Sequence, residues 1–177
     1  MAAPSTVIKT GTMGTITLVS GATTLALTYD MADLVIEGLS PKLNEVNAHE
    51  SRGVFRGLSY GNRTYPTLSF SAWFTNFAGE DDTPPGSMIE FLTGLGAYDG
   101  NASTLGTGRP MTIDIKLTIE GTDFGDTADE TIVCHDVYCT FGFTEAIDGN
   151  KFSISGTVYG EVVTDNNSQV LTFDEIS

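Results

Sequence analysis

Apolar and polar residues alternate along most of this chain, and a period of two predicts strands. In Thr112 to Glu120, the residues Ile113, Ile115, Leu117 and Ile119 alternate with Thr112, Asp114, Lys116 and Thr118. Thr131 to Phe143 sets Val133, Val137, Cys139, Phe141 and Phe143 on one side. Phe152, Ile154, Val158 and Val162 then alternate with Ser153, Ser155, Thr157 and Glu161. Asp148-Gly149 lies between these last two runs and is a two-residue hairpin signal. Leu68 to Phe74 is a further strong strand, with Leu68, Phe70, Ala72 and Phe74 facing one way. Shorter runs at Thr15 to Ser20, Thr24 to Tyr29 and Asp33 to Glu37 fit a meander with tight turns such as Gly21-Ala22.

The period changes to that of a helix in one place. Met88, Phe91, Leu92 and Leu95 fall at i, i+3, i+4 and i+7. Ser87 and Glu90 have the spacing of a capping box, and Gly94 and Gly96 end the segment, so one short helix is expected over about 84–94. Its apolar stripe is core packing. Residues 38–65 form a long polar excursion, in which Lys42–Glu50 and Val54–Tyr60 flank Ser51-Arg52-Gly53. This reads as a hairpin or extended loop, polar on both faces; loops of such length in a compact domain serve a function or dock on something. The end of the chain, about 165–177, is polar apart from Val170-Leu171-Thr172-Phe173 and reads as an arm that needs a partner to be ordered. The sum is one domain over 1–177 with about eight to ten strands and one helix. The fold class is all-β: an antiparallel sandwich or barrel of two sheets flanked by a helix.

Composition sharpens this picture. With 177 residues, 40% of them apolar, the chain can bury a core. Thr and Gly are abundant, as half-buried strands and tight turns require. The 23 acidic residues outweigh eight Lys and Arg, leaving a net charge of −15. A conventional nucleic-acid surface has little material here. No apolar stretch is long enough for a membrane span, and Met1-Ala2-Ala3-Pro4 lacks the pattern of a secretory signal. The charge is also unevenly spread. Lys42, Arg52, Arg56 and Arg63 are half of all the bases, whereas Asp114 to Ser177 is acidic with only Lys116 and Lys151. A small basic projection and a large acidic body on one chain suggest that copies of it meet each other.

Catalytic constellations are weak. Strict alternation puts His135 and Cys139 on one face and Cys134 and Asp136 on the other, which splits the donors a zinc site would need to gather and disfavours a Cys134–Cys139 disulfide. No G-x-S-x-G elbow occurs, and both thiols lie mid-strand. Asp123, Asp126, Asp129 and Glu130 lack the spacing of a calcium loop and read as a solvated turn, as do Glu80-Asp81-Asp82. The Gly-rich loop Asp99 to Arg109 has no phosphate-loop spacing. No cofactor and no enzymatic activity are expected.

In order along the chain, four patterns resemble the major tail tube proteins of tailed bacteriophages. They are Gly14-Thr15-Ile16-Thr17-Leu18 with Leu25-Ala26-Leu27; the excursion into Arg52-Gly53-Val54-Phe55-Arg56-Gly57; Tyr65-Pro66-Thr67-Leu68-Ser69-Phe70-Ser71-Ala72 before an acidic, Pro-containing loop and the helix; and Phe143-Thr144-Glu145 leading through Asp148-Gly149 into Phe152-Ser153-Ile154-Ser155-Gly156-Thr157-Val158 and Gly160. The resemblance implies hexameric rings that stack, with strands of all subunits closing one barrel around a lumen, and with the extended loop and terminal arms bridging neighbours. It implies a structural virion protein of the viral tail, made in the host cytoplasm, whose tube conducts the genome at ejection. Its partners would be further copies of itself, a tape-measure protein and tail-end proteins, with phage DNA as passing cargo and no membrane. An acidic wall suits such a conduit, because basic side chains would hold the phosphates. On this reading Asp114, Lys116, Thr118, Glu120, Ser153, Ser155, Thr157 and Glu161 belong to a solvated face that would line the lumen. Lys42, Arg52, Arg56 and Arg63 would contact neighbouring subunits. Two alternatives stand beside it. One is a secretion tube of the haemolysin-coregulated kind. The other is a monomeric β-sandwich binding module, for example for carbohydrate, with Trp73 and Tyr138 as its aromatic platform.

Overall fold

The structure is a computed structural model, and it describes residues 14–27, 34–40, 42–73, 88–119, 128–145, 147, 149–165 and 170–173. It is all-β with one short helix, as the alternation demands. The strands are β1 (Gly14–Ser20), β2 (Thr23–Leu27), β3 (Val35–Glu37), β4 (Asn44–Ser51), β5 (Val54–Arg63), β6 (Thr67–Trp73), β7 (Ile113–Ile119), β8 (Glu130–Thr144), β9 (Lys151–Val158), β10 (Val162–Asp165) and β11 (Val170–Phe173). Helix α1 spans Met88–Thr93. The sequence-expected helix start at Ser87 lies outside the described residues. Nine strands form one antiparallel sheet in the order β2-β1-β7-β8-β9-β6-β3, with β10 and β11 continuing from β8. Strands β4 and β5 form a separate hairpin.

The sheet has two wings because β8 serves both. Its first part, up to Cys134, pairs with β7 on one side and β10 on the other. Its second part, from Val137, pairs with β9. The first wing is thus β2-β1-β7-β8-β10-β11, and the second is β8-β9-β6-β3. Where they join, His135 and Asp136 of β8 oppose three residues, Tyr159, Gly160 and Glu161, while on the other side only Asp114 lies between the paired positions of β7. Such an extra residue bends a strand and breaks its alternation.

Inward residues of both wings join one buried cluster. Ile16, Leu18, Ile113, Ile115 and Leu117 come from the first wing, and Leu68, Phe70, Phe152 and Ile154 from the second. Helix α1 adds Met88, Phe91 and Leu92, with the Phe91 and Tyr98 rings edge-on at 4.9 Å. Leu95, expected in the same stripe, is exposed because the helix stops at Thr93 and Gly94 takes a φ of 65°. Thr112 is buried beneath the Gly-rich loop, where its hydroxyl lies 2.7 Å from that of Ser103 and 2.9 Å from that of Thr104. Those hydroxyls close the loop's turns, so it anchors β7.

Two expectations change. The terminal segment is ordered partly by its own chain: β11 pairs with β10, and Phe173 packs against the core. Its short apolar run Val170-Leu171-Thr172-Phe173 is long enough to extend a sheet edge. The connection between β8 and β9 is also longer than a two-residue turn, since the last pair is Thr144 with Lys151. Asp148 itself lies outside the described residues. The sheet does not close into a barrel within one copy.

Candidate assembly surfaces

The hairpin of β4 and β5 turns at Arg52 and Gly53, both with positive φ (52° and 73°), the geometry a two-residue hairpin turn requires. Its register places Val46 opposite Tyr60, Ala48 opposite Leu58 and Glu50 opposite Phe55. Directly opposed residues share a side of a sheet, so Val46, Ala48, Phe55, Leu58 and Tyr60 form one mainly apolar side, with Glu50 at its end near the turn. The large ones among them, Val46, Phe55, Leu58 and Tyr60, are 57 to 64% exposed. The other side carries Asn47, His49 and Ser59, with His49 Nε2 and Ser59 Oγ 2.6 Å apart. The segment is therefore not polar on both faces. A bulge at Arg56, between the pairs His49–Gly57 and Glu50–Phe55, moves Phe55 onto the side of Leu58 and hides the pattern from simple alternation.

The four basic residues divide between the two ends of this hairpin. Arg52 and Arg56 are exposed near its tip. Lys42 and Arg63 are at its root and half-buried. Arg63 is engaged within its own chain: its Nη2 donates to the carbonyl of Gly160 at 3.0 Å, and its guanidinium lies 5.5 Å above the Tyr65 ring. Tyr65 in turn packs on Tyr159 with ring centroids 4.9 Å apart. The root is thereby fastened to the junction of the wings. The carbonyl of Lys42 accepts a hydrogen bond from the Ser40 hydroxyl.

The residues expected to share one solvated face lie on two. Lys116 and Thr118 alternate with the buried Ile115 and Leu117, and they sit half-buried on the outer side of the first wing. Ser153, Ser155 and Thr157 sit on the outer side of the second wing, paired with Ser71, Ser69 and Thr67 across β6. Glu161 is exposed at the junction, and Glu120 lies outside the described residues. Asp114 has a structural task. Its Oδ1 accepts the backbone N–H of Asp136 at 3.0 Å, and its Oδ2 accepts from His135 Nδ1 at 3.0 Å. The carboxylate thus holds the bend, where Asp136 takes a φ of 53°. That link was hidden in the sequence because it depends on the bulge; Gly160 within an apolar-polar run is the one local signal for it.

The bend also corrects the reading of the thiols. Cys134 is buried in the core, and Cys139 packs against it, because one extra residue between Cys134 and Val137, with His135 and Asp136 set against Asp114 alone, resets the alternation. Both are free. Burial pushes the Cys134 thiol up to about 11, with the Asp114 charge adding to it, and burial pushes Cys139 up to about 12. Neither is a thiolate at neutral pH, which argues against nucleophilic use.

The outer side of the second wing carries a shallow groove of about 610 Å³, lined by Val35, Glu37, Ser69, Tyr138, Thr140 and Tyr159 among others. Tyr138 is exposed there, whereas the side chain of Trp73 is outside the described set. No group of three or more His, Cys, Asp or Glu among the described residues is placed to hold a metal ion. No described helix is long and apolar enough to cross a membrane.

No family model and no curated protein matches the sequence. The fold does have solved counterparts. One is a chain from the sheath/tube terminator of an extracellular contractile injection system in its extended state, with a TM-score of 0.55 over 93% of this chain and 99% of that one, at 9% identity. A second is a chain from the sheath-tube complex of such a system, with a TM-score of 0.51 over 88% of this chain and 89% of that one, at 8% identity. At these identities the likeness is one of fold.

Proposed function

We propose that this chain is a structural subunit of a tail-type tube, a phage tail tube in the first instance, which assembles into stacked hexameric rings around a conduit for the genome. The observation that carries the proposal is the isolated hairpin. A two-stranded hairpin is marginal in water, and this one holds its apolar side to solvent. Such a side is stabilised when another surface covers it, and a second copy supplies one in any self-assembling tube. The likeness of fold to chains of contractile injection systems, described as sheath/tube terminator and sheath-tube complex, supports the same class of role. The net charge of −15 suits a wall that lets polyanionic cargo pass. In this reading the tape-measure and tail-end proteins are further partners, and the chain has no catalytic task.

Replacing Phe55, Leu58 and Tyr60 together by Ser tests the proposal. All three are exposed, so the monomer should keep its thermal midpoint within a few degrees. Sedimentation velocity should show its large assemblies reduced at least tenfold relative to the parent. Assemblies of unchanged size and amount would overturn the role given to the hairpin.

A further inference from the structure

The hairpin of β4 and β5 hangs from the body by its two ends. Among the described residues no strand of the nine-stranded sheet pairs with it, so no ladder sets its direction. Its β5 arm is ten residues long, Val54–Arg63. At about 3.3 Å per residue that arm reaches about 30 Å, and a turn of about 10° at the root would carry the tip about 5 Å, more than one step of strand register. A surface on such an arm stands in one place only if the root is stiff.

The contacts at the root converge on Arg63. Leu43 is fully buried, and its carbonyl accepts the Thr64 N–H at 2.8 Å, which closes the base of the hairpin. Two tracks then join Arg63 to the bend between the wings. On the first, Arg63 Nη2 donates to the Gly160 carbonyl at 3.0 Å, and the Gly160 N–H donates to the His135 carbonyl at 3.1 Å. On the second, the guanidinium covers the Tyr65 ring, Tyr65 packs on Tyr159, and the Tyr159 N–H donates to the Asp136 carbonyl at 3.2 Å. The tracks end on His135 and Asp136, the two residues that the Asp114 carboxylate holds. Just beyond the ring pair, the Pro66 carbonyl accepts the Val158 N–H at 2.9 Å, so the exit from the hairpin is fixed as well. An arginine suits this place. Its planar fork donates along one direction while its face lies on a ring, and a lysine ammonium does not do both at once.

We infer that Arg63 is a positioning residue: with Tyr65, Tyr159 and Gly160 it clamps the hairpin at one angle to the bent sheet in the free chain, so that the apolar side is held ready before a partner arrives. This rests on the proposed self-assembling role and names what prepares the surface that carries it. A partner that meets an arm already in place does not have to order it on contact. Arg63 then acts on assembly through the direction of the hairpin, and not as a charge offered to a neighbour.

Distance measurement on the full chain tests this. Spin labels on Ser51→Cys at the hairpin tip and Thr24→Cys on β2, both exposed, report the angle of the arm by pulsed electron spin resonance in dilute solution. The parent's own thiols, one buried and one packed against the core, set the labelling background. The labelled chain should give one narrow distance distribution. Arg63→Lys, which keeps the charge, should widen it at least twofold, and so should Tyr65→Ala. Tyr65→Phe, which keeps the ring, should leave it narrow. All three should keep their circular dichroism and a thermal midpoint within a few degrees of the parent. Without labels, Arg63→Lys should lose assembly at least tenfold in sedimentation velocity and Tyr65→Phe should not. A distribution that is already broad in the parent, or one that stays narrow in Arg63→Lys, would overturn the clamp. So would an Arg63→Lys chain that assembles like the parent, as a charge contact with a neighbour requires. A parent that never assembles would overturn the proposed role instead, and the widths would still decide the clamp.

Discussion

Gly160 sits at a tight point of the bend where the two wings join. A Cβ there would stand 2.7 Å from the backbone oxygen of His135 and 2.8 Å from its Cβ. Neither neighbour can yield, since the His135 N–H donates to Glu161 and its carbonyl accepts from Gly160, at 3.0 and 3.1 Å. Gly160→Ala should therefore cost about 1–3 kcal/mol, as overpacking does. Urea denaturation would measure it, and an unchanged midpoint would show that the bend is looser than its geometry. The same bend explains where alternation misleads. Counting by twos sends Cys134 and Cys139 to opposite faces, whereas His135 and Asp136 reset the phase and turn both thiols inward. The bulge rests on one carboxylate, Asp114, twenty-one residues before its histidine partner, and nothing local in the chain announces so distant a contact.

At the scale of elements, the strands with long clean alternation were legible. β6, β7 and β9 lie where apolar residues recur at almost every second position over about seven residues, because a sheet with one buried face admits no other register, and β1 and β8 follow the same alternation in shorter stretches. The hairpin was legible as an object and misread as a surface. Arg52-Gly53 sets the turn, but the bulge at Arg56 gathers Phe55, Leu58 and Tyr60 onto one side. The short β11 pairs with β10 for a reason the sequence carries only faintly, a four-residue run with three apolar side chains beyond a polar stretch. The hairpin's tip yields a further expectation. Arg52 and Arg56 are exposed on a chain of net charge −15, so they should steer its approach to another acidic copy. Arg52→Glu with Arg56→Glu should slow assembly in a light-scattering assay at low salt. The difference from the parent should shrink as salt shortens the Debye length below about 8 Å. Equal rates at low salt would show that the tip is not an approach surface.

The molecule as a whole is a bent sheet that is complete in its core and incomplete at its margins. Nineteen apolar residues among those described are buried, and both wings and the helix contribute to them. What stays uncovered among the described residues includes the apolar side of the hairpin, on an element apart from that core. Covering that side with another copy is what the proposed assembly into stacked rings would do. Imaging the purified full chain by electron microscopy, over a range of concentrations at moderate salt, tests that claim directly. The account predicts hollow tubes or stacked six-fold rings that grow with concentration. A field of single small particles at every concentration would contradict it.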